Sequence, residues 1–537
     1  MKKLLYCIAT IIAATACAQQ FLPVHKLQYA EQAISKLYVD SVDQDKLVED
    51  AIKGMLKELD PHSSYTNAKE TKDLNEPLEG SFSGIGISFN MATDTLYVIE
   101  TIGGGPSERV GIRPGDRIIK VNDTVIAGVK MLNSDIMRRL RGPKGTNVNV
   151  KVLRYEGAVP DTIDFSITRD DIPIFSIDAA YIVQPGIGYI RINKFANDTH
   201  KEFVEAVKKL KNEGMKDLIL DLSDNGGGYL KASVDLLGEL LPKGSLAVFT
   251  EGRNNPKYDY YAFPSENSPL LEDGRLVVMM NQFSASASEI TAGAIQDWDR
   301  GVIVGRRSFG KGLVQRPVPF PDGSMMRLTV AHYYTPTGRD IQKPYTKGNS
   351  DEYSNDILDR YNRGELMHAD SIKYIDSLRV ETKRLHRPIY GGGGISPDRF
   401  VGIDTVENTK YYRQVMAKGL LNRFAIKTVD NHRKEILKQY PTDIDFINGY
   451  EISDAQLQEL FDMATAEKIE FNEEEAKLSR PLFCMVLKGL IGRDTYDSST
   501  YFKVYNQRDP MFKEALDIIS SPQYDKILSR PSCQESK

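Results

Sequence analysis

The chain has 537 residues, of which 41% are apolar, and it carries a formal net charge of −5. A chain of this length buries a substantial core and is expected to divide into three or more domains. The slightly acidic balance provides no basic surface for nucleic acid, so partners have to be inferred from individual sites.

Residues 1–18 are typical of an export signal. Two lysines precede an apolar run over residues 4–14, which is too short to span a bilayer, and small residues follow it. Two processing routes stay open, namely cleavage before Gln19 and lipid attachment at Cys17. Both predict an exported protein in the periplasm or cell envelope of a bacterium, with membrane contact only through a lipid anchor at Cys17.

After maturation the cysteines would be Cys484 and Cys533, whose separation does not match metal-ligand spacing. An oxidising compartment would allow them to pair, and two separate thiols are equally compatible with the sequence. The sequence predicts neither a metal nor a cofactor.

Residues 19–77 form a predicted N-terminal helical segment, because apolar residues recur there at helical spacing. The turn at residues 60–64 ends the second of its helices. His62 lies in this turn without other candidate catalytic groups nearby in the sequence. We interpret it as a structural turn residue rather than as a ligand or a base.

Residues 78–168 change to short strands separated by Gly, Pro and Asp turns. Residues 103–122 resemble the central run of PDZ domains, and Gly84, Ile85, Gly86 and Ile87 then stand where that family has its carboxylate-binding loop. Glycines at such a loop let successive backbone N–H groups converge on an anion, and the adjoining strand edge can accept an extended peptide. The four residues alone would also fit an ordinary glycine turn before a strand.

From residue 169 to residue 405 strands alternate with helices, which predicts a mostly parallel sheet with its site at the carboxyl ends of the strands. Within this region, residues 345–388 are polar and are interpreted as an inserted, solvated excursion. Residues 406–537 are helix-patterned and charged, and form a predicted C-terminal helical domain of unknown role.

Residues 281–315 carry the strongest chemical signal. Ser286 and Glu289 have capping-box spacing, so a helix is expected to begin at Ser286 and to direct its unpaired N–H groups toward a developing oxyanion. Lys311 lies between two glycines beyond the next strand. A lysine acts as a base only when it is neutral, which requires burial that lowers its pKa. A simple helix cap and an exposed turn lysine remain the alternatives at this point.

Residues 284–290, together with residues 309–312 and Gln315, resemble the signature of the carboxyl-terminal processing, or tail-specific, serine proteases. The similarity extends from Leu37 to Val401. It implies a multidomain α+β protein with a crotonase/ClpP-like ββα protease core, an inserted PDZ domain, an N-terminal helical segment and a C-terminal helical domain. It also implies a catalytic dyad of Ser286 and Lys311 steadied by Gln315.

The family resemblance implies an oxyanion hole formed by the amide of Ala287 and a glycine amide after the central strand. Gly227 is the predicted donor, with Gly226 and Gly228 as alternatives. At Ser223 the chain departs from the family, whose members commonly carry an arginine there. This departure puts in doubt any ion pair that braces the glycine loop.

The resulting hypothesis is an exported serine endopeptidase that binds the C-terminal tails of protein or peptide substrates through its PDZ domain and cleaves them through an acyl-enzyme. A catalytically silent PDZ adaptor and an esterase or amidase on the same core are the rival functions. A Ser/His/Asp triad would need His332, which alternates with strand residues as a surface or core position would.

Overall fold

The computed structural model describes residues 23–529, apart from residue 93 and residues 156–159. The predicted export signal and Cys533 lie outside the described residues, so the lipid anchor at Cys17 and the pairing of Cys484 remain predictions. The chain divides into two units. The smaller unit contains Met1–Thr71, Gln315–Thr329 and Tyr345–Ser354, and the larger unit contains the rest.

The N-terminal segment is helical, as its apolar spacing predicts, and also contains a short strand and a third helix. Its elements are α1 (Pro23–Leu37), α2 (Gln44–Lys57), β1 (Ser64–Thr66) and α3 (Ala68–Glu79). The carboxylate of Asp60 accepts hydrogen bonds from the backbone N–H groups of His62 and Ser63, both at 2.9 Å. His62 Nε2 lies 2.8 Å from Tyr353 Oη. These contacts agree with a structural role for His62.

The PDZ segment forms an antiparallel sheet in the order β3-β4-β5-β7-β8, with β6 paired to β5 and a separate β2-β9 ribbon at its base. Alternate valines of β7 are buried, which gives the sheet one core face. β3 lies at the edge of this sheet. The elements are β2 (Ser81–Gly84), β3 (Ile87–Ala92), β4 (Thr95–Thr101), α4 (Pro106–Val110), β5 (Arg117–Val121), β6 (Thr124–Val125), α5 (Asn133–Leu140), β7 (Asn147–Arg154), β8 (Asp161–Thr168) and β9 (Asp170–Pro173).

The protease core alternates strands and helices as predicted. Its elements are β10 (Ile177–Gln184), β11 (Ile187–Ile192), α6 (Thr199–Asn212), β12 (Asp217–Asp221), α7 (Leu230–Leu237), β13 (Leu246–Gly252), β14 (Asn255–Tyr261), β15 (Leu276–Met280), α8 (Ala287–Asp297), β16 (Val302–Gly305), β17 (Leu313–Pro319), β18 (Met325–Tyr334), α9 (Ser350–Asn362), β19 (Arg379–Glu381), β20 (Pro388–Tyr390) and β21 (Arg399–Phe400).

The main sheet of this core has the order β10-β11-β12-β15-β16-β21. All of its pairings are parallel except that of β10 with β11. The carboxyl ends of the central strands β12 and β15 therefore lie side by side, where functional sites of such sheets gather. Separately, β18 pairs at its start with β1 and at its end with β13.

Most of the polar stretch at residues 345–388 is exposed, as a solvated excursion would be, but two of its arginines are fully buried. Arg360 donates to the carbonyl oxygens of Arg307 (2.6 Å) and Ser308 (2.9 Å). Arg387 pairs with two carboxylates of the core. A guanidinium group tolerates burial when carboxylates or carbonyl oxygens face it, so the polarity of the stretch did not indicate that these two arginines are exposed.

The C-terminal region is helical, as predicted, and forms two parts. Its helices are α10 (Lys410–Ala417), α11 (Leu420–Gln439), α12 (Asp443–Gly449), α13 (Asp454–Ala466), α14 (Glu473–Leu478), α15 (Arg480–Thr495), α16 (Ser498–Asn506), α17 (Pro510–Ser520) and α18 (Gln523–Ser529). The first six helices enclose their own apolar core. The last helices cover one face of the main sheet, where Met511 and Phe512 pack with Ile219 and Val277. Within residues 23–529 as described, no helix combines the length and apolar character needed to cross a bilayer.

Candidate active site

The predicted nucleophile lies in a strained turn between β15 and α8. Ser286 has φ 56° and ψ −113°, which a residue with a side chain rarely adopts. It is half-buried, whereas Ser284 and Ser288 are fully buried. Ser284 Oγ donates to the carbonyl oxygen of Leu222 and Ser288 Oγ to that of Asn225, both at 2.8 Å. The two neighbouring hydroxyls therefore hold the turn, and Ser286 is the serine that the turn presents.

A single buried carboxylate joins this turn to residues 307–312, which we call the lysine loop. Glu289 Oε2 accepts hydrogen bonds from the backbone N–H groups of Ser286 and Lys311, both at 2.8 Å. Glu289 Oε1 accepts from Ser308 Oγ (2.5 Å) and from Gly310 N (2.7 Å). Burial raises the pKa of Glu289, and these four hydrogen bonds oppose that shift. Glu289 thus places the backbones of the predicted nucleophile and base side by side.

Tyr333 on β18 forms a second bridge between the same two backbones. Its hydroxyl donates to the carbonyl oxygen of Ser286 at 3.2 Å and also contacts the carbonyl oxygen of Lys311. Successive side chains of a strand point to opposite faces, so His332 points away from Ser286. His332 instead pairs with Asp340, at 3.0 Å. This geometry argues against a Ser/His/Asp triad through His332.

Residues 223–228, which we call the glycine loop, follow β12 and approach Ser286. Gly227 has φ +99°, and a methyl group added there would lie 2.7 Å from Ser286 Cβ and 2.9 Å from Ala287 N. The predicted oxyanion donors Ala287 and Gly227 are therefore neighbours. The Gly227 N–H donates to Asn225 Oδ1 at 2.8 Å in this structure, while Gly228 is exposed. The choice of Gly227 over Gly226 and Gly228 as the second oxyanion donor stays a prediction.

Asn225 connects the glycine loop to its surroundings and was missed by sequence reasoning. Its side chain is fully buried and donates to the carbonyl oxygen of Ile192 at 2.9 Å. Its own carbonyl oxygen accepts from Ala285 N (3.0 Å) and from Ser288 Oγ (2.8 Å). Nothing in the local pattern distinguishes Asn225 from a turn residue. Glu289 and Tyr333 were likewise not recognised as bridges, although the capping-box spacing had identified Glu289.

Gln315 belongs to the smaller unit, where it lies on β17. Its side-chain amide donates to Thr329 Oγ1 at 3.4 Å, and Thr329 Oγ1 donates to Asp60 at 2.9 Å. Thr329 therefore links the side chain of Gln315 to Asp60 in the turn of the N-terminal segment. Its predicted role beside the lysine remains a prediction.

The predicted carboxylate-binding loop of the PDZ domain joins β2 to β3. Gly84 ends β2, Ile85 is buried in the domain core, and Ile87 begins β3. Gly86 has φ +73°, and a methyl group there would lie 3.0 Å from Ile172 Cδ1. A side chain at position 86 would therefore be strained and crowded, and the loop leads directly into the edge strand.

Among the described residues, no group of three or more His, Cys, Asp or Glu side chains is arranged to hold a metal ion.

Comparison with protein-family models independently supports the assignment of the chain as a protease. The model of peptidase family S41 matches residues 186–351, and that of the PDZ domain matches residues 83–170. The N-terminal domain of the activating protease CtpB matches residues 12–71, and a family of unknown function matches residues 411–497. The enzyme is a serine-type peptidase with an S41 core.

Two relatives indicate which kind of serine peptidase the chain is. A carboxy-terminal-processing protease of Bartonella bacilliformis is 37% identical over 309 residues, covering 57% of this chain and 69% of the relative. The carboxy-terminal processing protease CtpB of Bacillus subtilis is 31% identical over 448 residues, covering 83% of this chain and 90% of the relative. The chain belongs to the carboxy-terminal processing proteases, which confirms the resemblance and the fold class.

Solved structures are similar to parts of the chain. The photosystem II D1 C-terminal processing protease shares 30% identity, covering 59% of this chain and 89% of that chain, with a TM-score of 0.32. The PDZ domain of a carboxy-terminal protease from Vibrio cholerae, solved in complex with peptide, shares 32% identity. It covers 17% of this chain and 97% of that chain, with a TM-score of 0.16.

Proposed function

We propose that this protease is exported, binds the C-terminal tails of protein substrates through its PDZ domain, and hydrolyses peptide bonds with a Ser286/Lys311 dyad. The observation that carries the dyad is the double bridge between the two backbones. Glu289 accepts from both N–H groups, and Tyr333 contacts both carbonyl oxygens. These contacts hold the two segments side by side although α8 and β16 lie between them in the sequence, and this supports the proposed dyad.

In this mechanism the neutral Lys311 amine takes the proton of the Ser286 hydroxyl as Ser286 Oγ attacks the carbonyl carbon of the scissile bond. The resulting oxyanion is received by the Ala287 amide at the start of α8 and by an amide of the glycine loop. The C–N bond then breaks, and Lys311 returns the proton to the leaving amine. Lys311 next activates a water molecule, which hydrolyses the acyl-enzyme ester. Gln315 is expected to orient the lysine amine without adding charge.

The PDZ domain supplies the substrate preference in this proposal. A C-terminal carboxylate would bind at the loop of Gly84, Ile85, Gly86 and Ile87, and the tail would add a strand to β3. β3 lies at the sheet edge, and backbone pairing with an edge strand is a common mode of peptide recognition. The similar PDZ domain from Vibrio cholerae was solved in complex with peptide.

Export rests on residues 1–18, whose lysines, apolar run and small residues are typical of a signal. We propose a location in the periplasm or cell envelope, with cleavage before Gln19 or lipid attachment at Cys17. Mass spectrometry of the N-terminal peptide of the mature protein distinguishes the two, because only lipid attachment adds the mass of acyl chains at Cys17.

The dyad is tested with a peptide or protein substrate that carries an apolar C-terminal tail. Ser286→Ala and Lys311→Ala should each lose at least about 10³-fold in turnover, while tail binding is retained. Ser453→Ala is the control, because Ser453 also caps a helix, α13, but its hydrogen bonds go to Gln456 rather than to the nucleophile turn. This variant should still react with a fluorophosphonate. Turnover by Ser286→Ala would refute the dyad, and tail binding without turnover by the wild type would favour the adaptor function.

A further inference from the structure

Arg191 on β11 contacts Ser223, the first residue of the glycine loop. Position 223 is the one at which the family resemblance led us to expect an arginine. The Arg191 guanidinium donates from Nη1 to Asp221 Oδ2 at 2.6 Å and from Nη2 to the carbonyl oxygen of Ser223 at 3.0 Å. The Arg191 side chain is 14% exposed and that of Asp221 is 4% exposed. A buried, charge-assisted pair of this kind fixes geometry strongly.

The Arg191–Asp221 pair holds both the N–H and the carbonyl group of Ser223, the first residue of the glycine loop. Asp221 Oδ1 accepts from the Ser223 N–H at 2.8 Å, while Arg191 donates to the Ser223 carbonyl oxygen. Tyr189 Oη also donates to Asp221 Oδ2, at 2.7 Å, so the carboxylate is fully engaged. The Arg191–Asp221 pair therefore fixes Ser223, the point at which the chain leaves β12 toward Gly227, while Asn281 and Asn225 hold the following residues.

A side chain from the C-terminal helices covers this pair. The ring of Phe502 on α16 faces the Arg191 guanidinium, with 4.9 Å between the guanidinium carbon and the ring centroid. The same helix is anchored to β10 by a hydrogen bond from Asn506 to Tyr181 Oη at 2.8 Å. A cation–π contact of this type strengthens as water is excluded.

We propose that Arg191 is the positioning residue that holds the glycine loop for catalysis, and that Phe502 links the C-terminal helices to this role. A guanidinium group on the neighbouring strand thus supports the loop, although position 223 carries a serine. This inference rests on the proposed function, because it concerns the loop that would receive the oxyanion. It assigns the last helices of the chain a contribution to the reaction besides covering the sheet.

The test compares Arg191→Met and Arg191→Lys with the wild type in the full-length mature protein. Methionine keeps most of the packing but supplies no donor, and lysine supplies charge without the planar fork. Active sites are first counted by fluorophosphonate labelling, and kcat and KM for a tailed peptide are then expressed per labelled site. Arg399→Met is the matched control, because Arg399 pairs with Glu514 between the sheet and α17 without contacting the glycine loop.

Arg191→Met should lower kcat per active site by about 10- to 100-fold with KM within about two-fold, because the loop is required in the transition state. Arg191→Lys should lose about three- to ten-fold, and Arg399→Met should match the wild type. Phe502→Leu should lose about two- to five-fold by weakening the cation–π contact.

Unchanged kcat per active site in Arg191→Met would overturn the proposal, even if the unfolding midpoint falls, because that pattern describes a purely structural ion pair. If Arg191→Met does not fold, Arg191→Lys decides by the same criterion. Failure of the wild type to be labelled or to turn over would instead refute the proposed function. The two failures are therefore distinguishable.

Discussion

The glycine loop and the lysine loop are each braced by a buried guanidinium–carboxylate group, but the two braces come from different parts of the chain. Arg191 and Asp221 lie on adjacent strands of one sheet and hold the first residue of the glycine loop. Arg360 and Glu365 come from the polar stretch that follows β18, and Arg360 donates to two carbonyl oxygens of the lysine loop.

The difference between the loops lies in how each is joined to Ser286. The lysine loop shares the carboxylate of Glu289 with the nucleophile turn, so base and nucleophile are expected to move together. The glycine loop reaches the same turn through Asn225 and through contact at Gly227. Replacing Glu289 should therefore disable the dyad. Replacing a residue of the Arg191–Asp221 or Arg360–Glu365 pair should affect only the loop that this pair supports.

Glu289→Gln is expected to have the largest effect on this arrangement. A glutamine side chain presents one oxygen and one NH₂ group, so one of the two pairs of donors that Glu289 accepts from would face another donor. We expect kcat to fall by about 10³-fold, because misplacement of reacting groups by about 1 Å already costs about 10²-fold. Steady-state cleavage of a tailed peptide measures this.

Asp445→Asn provides the control for Glu289→Gln. Asp445 occupies the same capping position on α12, far along the chain, and accepts from the Thr442 N–H at 3.2 Å. Its replacement should leave turnover unchanged. If Glu289→Gln retained wild-type kcat while folding normally, the shared carboxylate would not be what aligns the dyad.

Gly227→Ala should have the next largest effect, because it acts on the glycine loop alone. The added methyl group would lie 2.7 Å from Ser286 Cβ, and the alanine would have to adopt φ +99°. We expect kcat to fall by about 10²-fold, the scale on which loss of one oxyanion donor acts.

Gly226→Ala is the matched control, since a methyl group there meets no atom within 4 Å. It should stay within about three-fold of the wild type, as expected for a substitution that creates no clash or strain. Equal losses in the two variants would mean that loop flexibility, rather than the space beside Ser286, limits the reaction.

Sequence alone predicted the parts of the site that are encoded locally. The capping-box spacing of Ser286 and Glu289, the glycines around Lys311 and the strand–helix alternation all lie within short stretches. The fold class, which the family resemblance implied, is confirmed. The PDZ segment was recognised for the same reason. Among the three serines, only the structure shows a physical difference, since Ser284 and Ser288 are buried and hydrogen-bonded to the glycine loop region.

The residues that were missed depend on contacts between distant segments. Ser223 suggested an unbraced loop, and no local pattern indicates that Arg191 on the preceding strand would replace the missing charge. Arg360 lies in a stretch whose polarity predicted solvation, yet its donors are satisfied by backbone oxygens of the lysine loop. Whether a polar side chain is buried can be inferred only once its hydrogen-bond partners are known.

Glu365→Gln is expected to have the smallest effect on turnover, and it tests the brace of the lysine loop through stability. Burial raises the pKa of Glu365, but hydrogen bonds and charges from Arg307, Arg360 and Arg363 outweigh burial and lower the pKa from 4.5 to about 2. A depressed carboxyl pKa stabilises the folded state above the unfolded value, and this stabilisation is lost as pH falls from about 4.5 toward 2.

By linkage, this shift corresponds to about 3 kcal/mol of unfolding free energy at neutral pH. Glu365→Gln should therefore unfold at a lower temperature or urea concentration at pH 7, and the difference from the wild type should shrink as the pH is lowered toward 2. Glu381→Gln is the control, because Glu381 is exposed and pairs only with His386 among the described residues. A difference between Glu365→Gln and wild type that is the same at every pH would show that the charge of Glu365 contributes nothing to the brace.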